Sequence, residues 1–262
     1  MSAMRLVIIA LLSLTLISGC SSWRSDPTRD WSASQLYEEA KSALNRGSYD
    51  RAVELYETLE ARFPFGRHAQ QAQLEIAYAY YKAQEPEMAI AAIDRFLQIN
   101  PRHPHVDYAY YLRGLTNFER DLSFINRWIP QDQSRRDAAP LRDAFEDFGN
   151  LVRNFPDSRY SQDARDRMMH LRNMLADHEL YIADFYMRRG AWLAAAKRAS
   201  YVIEHYDQSD AVPQALVIMV RAYRELDMND LADDALRVLQ LNFPEEAQRQ
   251  RLSHLPQPHR SS

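Results

Sequence analysis

The sequence predicts an all-α chain organised as a superhelical array of five helix pairs, and three observations carry that prediction. An aliphatic residue, a small residue and a tyrosine return at fixed spacing, as Ile76-Ala77-x-x-Tyr80, Ile182-Ala183-x-x-Tyr186 and Met219-Val220-x-x-Tyr223. An alanine with a bulky residue four positions on follows, as Ala52-x-x-x-Tyr56, Ala89-x-x-x-Ile93, Ala144-x-x-x-Phe148 and Ala232-x-x-x-Leu236. Twelve residues after each of these alanines stands a proline, at Pro64, Pro101, Pro156 and Pro244. Residues three and four apart share one helix face. Proline stops a helix because it lacks the N–H donor and clashes with the preceding turn.

Taken in chain order, residues 1–19 read as a secretory leader, with Arg5, an apolar run from Leu6 to Ile17, then Ser18-Gly19 before Cys20. Those twelve residues are too few to cross ~30 Å of hydrocarbon, which needs about 20. Small residues directly before the sole cysteine resemble the lipobox of bacterial lipoproteins, and a lone thiol has no partner within the chain. The expectation is therefore cleavage before Cys20 and a covalent lipid upon it. Ser21, where Asp would retain a lipoprotein at the inner membrane, implies export to the outer membrane. Residues 20–31 then form a lipidated polar tether.

The helix pairs fall at roughly 32–65, 69–102, 105–157, 174–207 and 212–245, the signature of tetratricopeptide (TPR) repeats. Gly47-Ser48-Tyr49 and Gly190-Ala191-Trp192 mark turns within pairs, where glycine takes the left-handed conformation that ends a helix. Pro64 and Pro101 are 37 residues apart but Pro101 and Pro156 are 55 apart, so the third repeat carries an insertion, at 122–140. In the fourth, Asp207 stands where proline is expected. A long helical pattern from Ser161 to about Met187 leads into that repeat, so two sub-bundles are expected to meet there: repeats 1 to 3 over 32–157 and repeats 4 and 5 over 158–245. Residues 246–262 are polar, carry two prolines and are expected to fray.

Composition excludes some functions. The net charge of −4 offers no basic field for nucleic acid. Neither a G-x-S-x-G elbow nor a phosphate-binding glycine loop occurs, and lipidation of Cys20 removes the one thiol nucleophile. His103-Pro104-His105 is the best metal-like pair, but no third ligand is visible in sequence nearby. The chain is read as a non-enzyme with no metal and no cofactor beyond its lipid.

Binding is the alternative to chemistry, because stacked helix pairs curve around an extended concave groove. On the first helices and nearby links, Phe63, Phe65, Tyr78, Tyr81 and Arg95 are the candidates for a peptide-binding groove. A second cluster, Tyr186, Arg188, Arg189, Trp192, Lys197 and Arg198, places cations around aromatics near a turn. Inter-repeat packing explains the aromatics as well, and a solvated face explains the cations as well.

The lipobox, the five repeats and the segments RFPFG (62–66), AYYK (79–82), AAIDRF (91–96), NPRHPHVDY (100–108), YLRGLTN (111–117) and RRGAW (188–192) resemble the BamD family, TPR lipoproteins of the outer-membrane β-barrel assembly machinery. The resemblance covers nearly the whole mature chain and keeps the third-repeat insertion. It implies a scaffold on the periplasmic face of the outer membrane, binding the POTRA domains of the barrel subunit BamA, chiefly the fifth, through the C-terminal repeats. It also implies sister BAM lipoproteins as partners, and N-terminal repeats that receive the C-terminal targeting segment of unfolded outer-membrane barrels. In that family an Arg eight residues beyond the Gly of RRGAW couples to BamA, and Arg198 holds that place after Gly190. Phe63 matches an aromatic position implicated in substrate reception, with Phe where the family has Tyr, so it offers no hydroxyl. A TPR lipoprotein that organises peptidoglycan or secretion enzymes is the other reading, and only the first requires a stoichiometric complex with a POTRA-bearing barrel.

Overall fold

The computed structural model describes residues 27–120 and 138–250. The leader, Cys20, insertion residues 122–137 and the tail from 251 lie outside them. Helix follows helix: α1 (Ala33–Asn45), α2 (Tyr49–Arg62), α3 (Arg67–Lys82), α4 (Pro86–Ile99), α5 (Val106–Arg120), α6 (Ala139–Asn154), α7 (Ser161–Arg188), α8 (Trp192–His205), α9 (Val212–Glu225), α10 (Asn229–Asn242) and α11 (Pro244–Arg249). No strand occurs among the described residues. The fold is an all-α TPR array, each odd-numbered helix from α1 to α9 being the first of a pair.

Local chemistry sets the boundaries. At the start of α1, Ser32 Oγ accepts from Gln35 N–H while Gln35 Oε1 accepts from Ser32 N–H at 2.8 Å, a capping box that satisfies two otherwise orphaned donors. Four first helices end alike, on a residue with positive φ: Gly47 (77°), Gln84 (62°), Gly190 (70°) and Asp227 (57°). At each, that residue's N–H and the next one bond back to two carbonyls of the last turn, as in Gly47 to Leu44 and Ser48 to Ala43. This is the Schellman arrangement. In three of the four, the deeper carbonyl belongs to the repeated tyrosine: Tyr80, Tyr186 or Tyr223. The motif tyrosine thus marks the last turn of its helix.

Second helices also end alike. Phe63, Asn100, Phe155, Tyr206 and Phe243 have φ between −123° and −136° and ψ between 39° and 61°, each donating its N–H to the carbonyl four residues back. A following proline favours this turn away from the helix. Tyr206 makes it before Asp207, so repeat packing suffices to impose the bend where proline is missing.

The alanines of the repeat motif, Ala52, Ala89, Ala144 and Ala232, are fully buried, letting paired helices approach. The core consists of four hydrophobic clusters that share members. Tyr78 and Ala92 touch the first two, Tyr110 and Phe155 join the second to the third, and Ile203 and Met219 join the third to the last. The largest runs from Ala138 to Ala222, straight across the position where the sequence implied that two sub-bundles meet. One reason is the length of α7: at 28 residues it packs against α6 and then against α8. Pro244 at the first position of α11 and Ala247, buried in the last cluster, keep residues 244–249 helical, where the sequence implied fraying from 246. Ala139 and Pro140, read as the end of the insertion, begin α6.

First helices of adjacent repeats touch one another along the chain, α1 with α3, α3 with α5, α5 with α7 and α7 with α9. That row forms the inner wall of a TPR solenoid.

Candidate partner-binding surfaces

Polar contacts link neighbouring first helices along the inner wall. Tyr37 Oη and Lys41 Nζ on α1 both reach Glu75 Oε1 on α3, at 3.5 and 2.5 Å. Tyr81 Oη donates to Glu119 of α5 at 2.8 Å, and Tyr111 Oη donates to Asp163 of α7 at 2.6 Å. Burial, with the carboxylate beside it, raises the Tyr81 phenol well above its usual value and keeps it a donor. Partial burial pulls Asp163 upward, but the bonds from Tyr111 and Arg167 win and hold its carboxyl below the usual range. Sequence reading missed these acids. The signal was present, since Tyr37 to Glu75 and Tyr81 to Glu119 are both separated by 38 residues, about one repeat.

The five N-terminal candidates form two groups. Tyr78 and Tyr81 lie on α3 with ring centroids 6.3 Å apart, half-buried against the cluster shared by repeats 2 and 3. Phe63 caps α2, and Phe65, 94% exposed, precedes α3. At ~1.5 Å per residue, the length of α3 puts Phe65 roughly 20 Å along the axis from Tyr81. Arg95 belongs to neither first helix. It sits exposed on α4, a second helix, 4.0 Å from Glu60 of α2. Glu60 stands three residues before Phe63 on the last turn of α2, so this contact puts the Arg95 guanidinium toward the end of the pair that carries Phe65.

Four of the C-terminal candidates surround one turn. Arg189 caps α7 and lays its guanidinium 4.7 Å from the Phe185 ring centre, a cation–π contact. Tyr186 meets the same ring edge-on at 5.7 Å, Trp192 packs beside Gly190, and Arg188 is exposed. Arg198 is different. It sits on α8 below the turn, and its Nη1 donates to Glu179 Oε2 at 2.9 Å. Glu179, on α7, is 2% exposed, and its other oxygen lies 3.7 Å from Arg142 of α6. The resemblance implies that Arg198 couples to a partner; within the chain its guanidinium already holds an acid, because the register of α7 against α8 brings position 179 beneath it.

YLRGLTN, which carried much of the resemblance, is packing machinery. Arg113 bonds Asp147 through Nε at 2.7 Å and reaches Asp94 at 2.5 Å, while Asn117 donates to the other Asp147 oxygen at 3.0 Å. Burial raises the Asp147 carboxyl, against the opposing pull of Arg113. Tyr111 stacks on Tyr160 at 4.7 Å.

His103 accepts from the backbone N–H of His105 at 3.2 Å through Nδ1 and packs edge-on against Phe96 at 5.2 Å. One ring nitrogen is thereby engaged structurally. Among the described residues no group of three or more His, Cys, Asp or Glu is arranged to hold a metal, and no helix is long and apolar enough to cross a membrane.

A continuous helical solenoid with a Tyr- and carboxylate-studded inner wall, an exposed aromatic link and a cationic turn is a TPR scaffold, a class that works by holding other proteins. This chain belongs to the outer membrane lipoprotein family YfiO, whose model matches residues 29–239. It is 50% identical over 217 residues to a Neisseria meningitidis serogroup B protein, covering 83% of this chain and 81% of that one. It is 40% identical to a Vibrio cholerae protein, covering 88% and 96%, and 37% identical to one from Haemophilus influenzae, covering 89% of each. All three relatives are named outer membrane protein assembly factor BamD.

Proposed function

We propose that this protein is a lipid-anchored scaffold for the assembly of outer-membrane β-barrels, tethered through Cys20 to the periplasmic face of the outer membrane. The observation that carries the reading is the relationship to assembly factors of that name across nearly their whole length. The C-terminal repeats hold the POTRA domains of BamA through the turn formed by Tyr186, Arg188, Arg189 and Trp192, with Arg198 below it. The N-terminal repeats receive the extended, aromatic-ended segment of an unfolded barrel: Phe65, Phe63 and Arg95 at one end and Tyr78 and Tyr81 further along the wall. A separation of roughly 20 Å between the two groups corresponds to about six residues of extended chain, the reach of a targeting segment. Extended peptides bind such grooves through alternate side chains. Other lipoproteins of the machinery dock on the same scaffold. No step requires catalysis.

Purification of a tagged chain from its own membranes tests this. A stoichiometric complex with a POTRA-bearing barrel is expected. Recovery with peptidoglycan or secretion enzymes, and without such a barrel, would replace this reading with that of an envelope organiser.

A further inference from the structure

Thr28 is 4% exposed, and Arg62 ties it to the end of α2: Nη1 donates to the Thr28 carbonyl at 2.5 Å and Nη2 to its hydroxyl at 3.2 Å. The chain therefore enters the fold at one edge of the solenoid, where second helices end and first helices begin. Ser34 in the first turn of α1 and His68 in the first turn of α3 approach to 3.4 Å at that edge. Two links lie along it, 63–66 between α2 and α3 and 100–105 between α4 and α5.

Both links are cationic and partly apolar. Over 62–68 and 99–105 the chain has three arginines and no Asp or Glu, whereas the turns of the opposite edge, 45–50 and 82–87, hold Asp50, Glu85 and Glu87 against Arg46 and Lys82. Arg67 and Arg102 are exposed, with Phe65, 94% exposed, close to the first and Ile99, 55% exposed, close to the second. A phenyl ring left almost wholly in water contributes little to packing within the chain. Exposed aromatic and aliphatic side chains beside arginines make up surfaces that rest among phospholipid headgroups.

We infer that this edge is a second membrane contact: Phe65 and Ile99 sit in the headgroup layer of an anionic phospholipid surface, and Arg67 and Arg102 meet its phosphates. The inference rests on the lipid anchor at Cys20. Eight residues separate Cys20 from Thr28, a reach of at most about 28 Å, so an anchored chain keeps this edge close to the bilayer. The tether alone permits many orientations. Cations on this edge and acids on the other select one, because an anionic leaflet attracts arginine and repels carboxylate. The receiving end of the groove then opens at the bilayer surface, where the aromatic end of an arriving segment also partitions.

The test tethers the mature chain, with Cys20→Ser, through a hexahistidine segment placed ahead of residue 20. Vesicles of phosphatidylethanolamine and phosphatidylglycerol carry a nickel-chelating lipid to hold it. One preparation bears a fluorophore at Ala61→Cys on the last turn of α2, another at Asn45→Cys at the far end of α1, both exposed positions. Quenching by nitroxide-labelled lipid reports proximity to the bilayer. It should be several-fold stronger at 61 than at 45. Phe65→Ser should remove most of that difference, as should Arg67→Gln combined with Arg102→Gln, or raised salt. Thermal melting checks that each variant folds. Equal quenching at the two sites, or quenching at 61 that Phe65→Ser leaves unchanged, overturns the inference, while the lipid anchor stands because the engineered tether replaces it. Should Phe65→Ser weaken binding of a C-terminal barrel peptide without altering the quenching, the link serves the peptide alone and the inference also falls. Membrane-extracted protein without acyl mass on Cys20 overturns the anchor itself.

Discussion

A Cβ added at Gly114 would lie 2.6 Å from Cε1 of Phe148, a ring edge that is fully buried between α5 and α6. The glycine sits inside a helix, where it costs about 1 kcal/mol relative to alanine. Close packing outweighs that cost here. Gly114→Ala should therefore destabilise the fold by about 1–3 kcal/mol despite the better helix propensity, because the ring has no space into which to retreat. Denaturant unfolding measures this. Phe148→Leu should relieve the clash, so the double variant should lose less than the sum of the singles. Additive losses would place the strain elsewhere.

Gln84 and Asp227 occupy the left-handed position that glycine fills at Gly47 and Gly190. Holding an ordinary L residue there costs ~1–2 kcal/mol, while the freedom glycine adds to the unfolded chain costs ~0.5–1, so the first term wins narrowly. Gln84→Gly should raise stability by about 0.5 kcal/mol, a melting shift of ~1–2 °C. Asp tolerates this region better, so Asp227→Gly should change little. A destabilised Gln84→Gly protein would show that the Gln84 side chain contributes more than its backbone strain costs.

These positions also show what the sequence could reveal. Gly47 and Gly190 announced their turns because glycine is the residue that suits the conformation, whereas Gln84 and Asp227 make the same turn silently, held by the flanking helices. Proline announced four of the second-helix ends; Tyr206 shows that the bend survives without it. The repeat period, the buried alanines and the pairing order were legible because they recur. Side-chain contacts between helices were not, since Arg113 with Asp147, Tyr111 with Asp163 and Arg198 with Glu179 join residues 19 to 52 positions apart whose registers depend on helix crossing. YLRGLTN and Arg198 could be noticed as residues that matter, but what they touch could not be read from their spacing.

The anchor gives a separate prediction. Ser18-Gly19-Cys20 follows the apolar run from Leu6 to Ile17, and Ser21 comes next. The mature chain should begin at lipid-modified Cys20, and intact-mass measurement of membrane-extracted protein should show the added acyl mass. A Cys20→Ala protein expressed without its partners should leave the outer-membrane fraction. Retention there at wild-type levels would contradict the lipid anchor.

The last prediction separates folding from binding at Arg198. Arg188 is exposed, and reversing its charge should cost ~0–1 kcal/mol, as at other solvated sites. Arg198 stands 2.9 Å from Glu179, a carboxylate that is 2% exposed. Arg198→Glu therefore removes one of that acid's two cations and sets a second carboxylate beside it. Breaking a buried pair costs about 3–5 kcal/mol; the surviving Arg142 contact and the partial exposure of Arg198 reduce this to about 2 kcal/mol. Arg198→Gln keeps a donor for Glu179 and should cost about half as much. Chemical denaturation of the isolated chain, with no partner present, orders the three variants, and Arg198→Glu should be the least stable. If Arg188→Glu and Arg198→Glu unfold at the same denaturant concentration, Glu179 does not depend on Arg198, and any loss of partner binding in Arg198→Glu reports the interface alone.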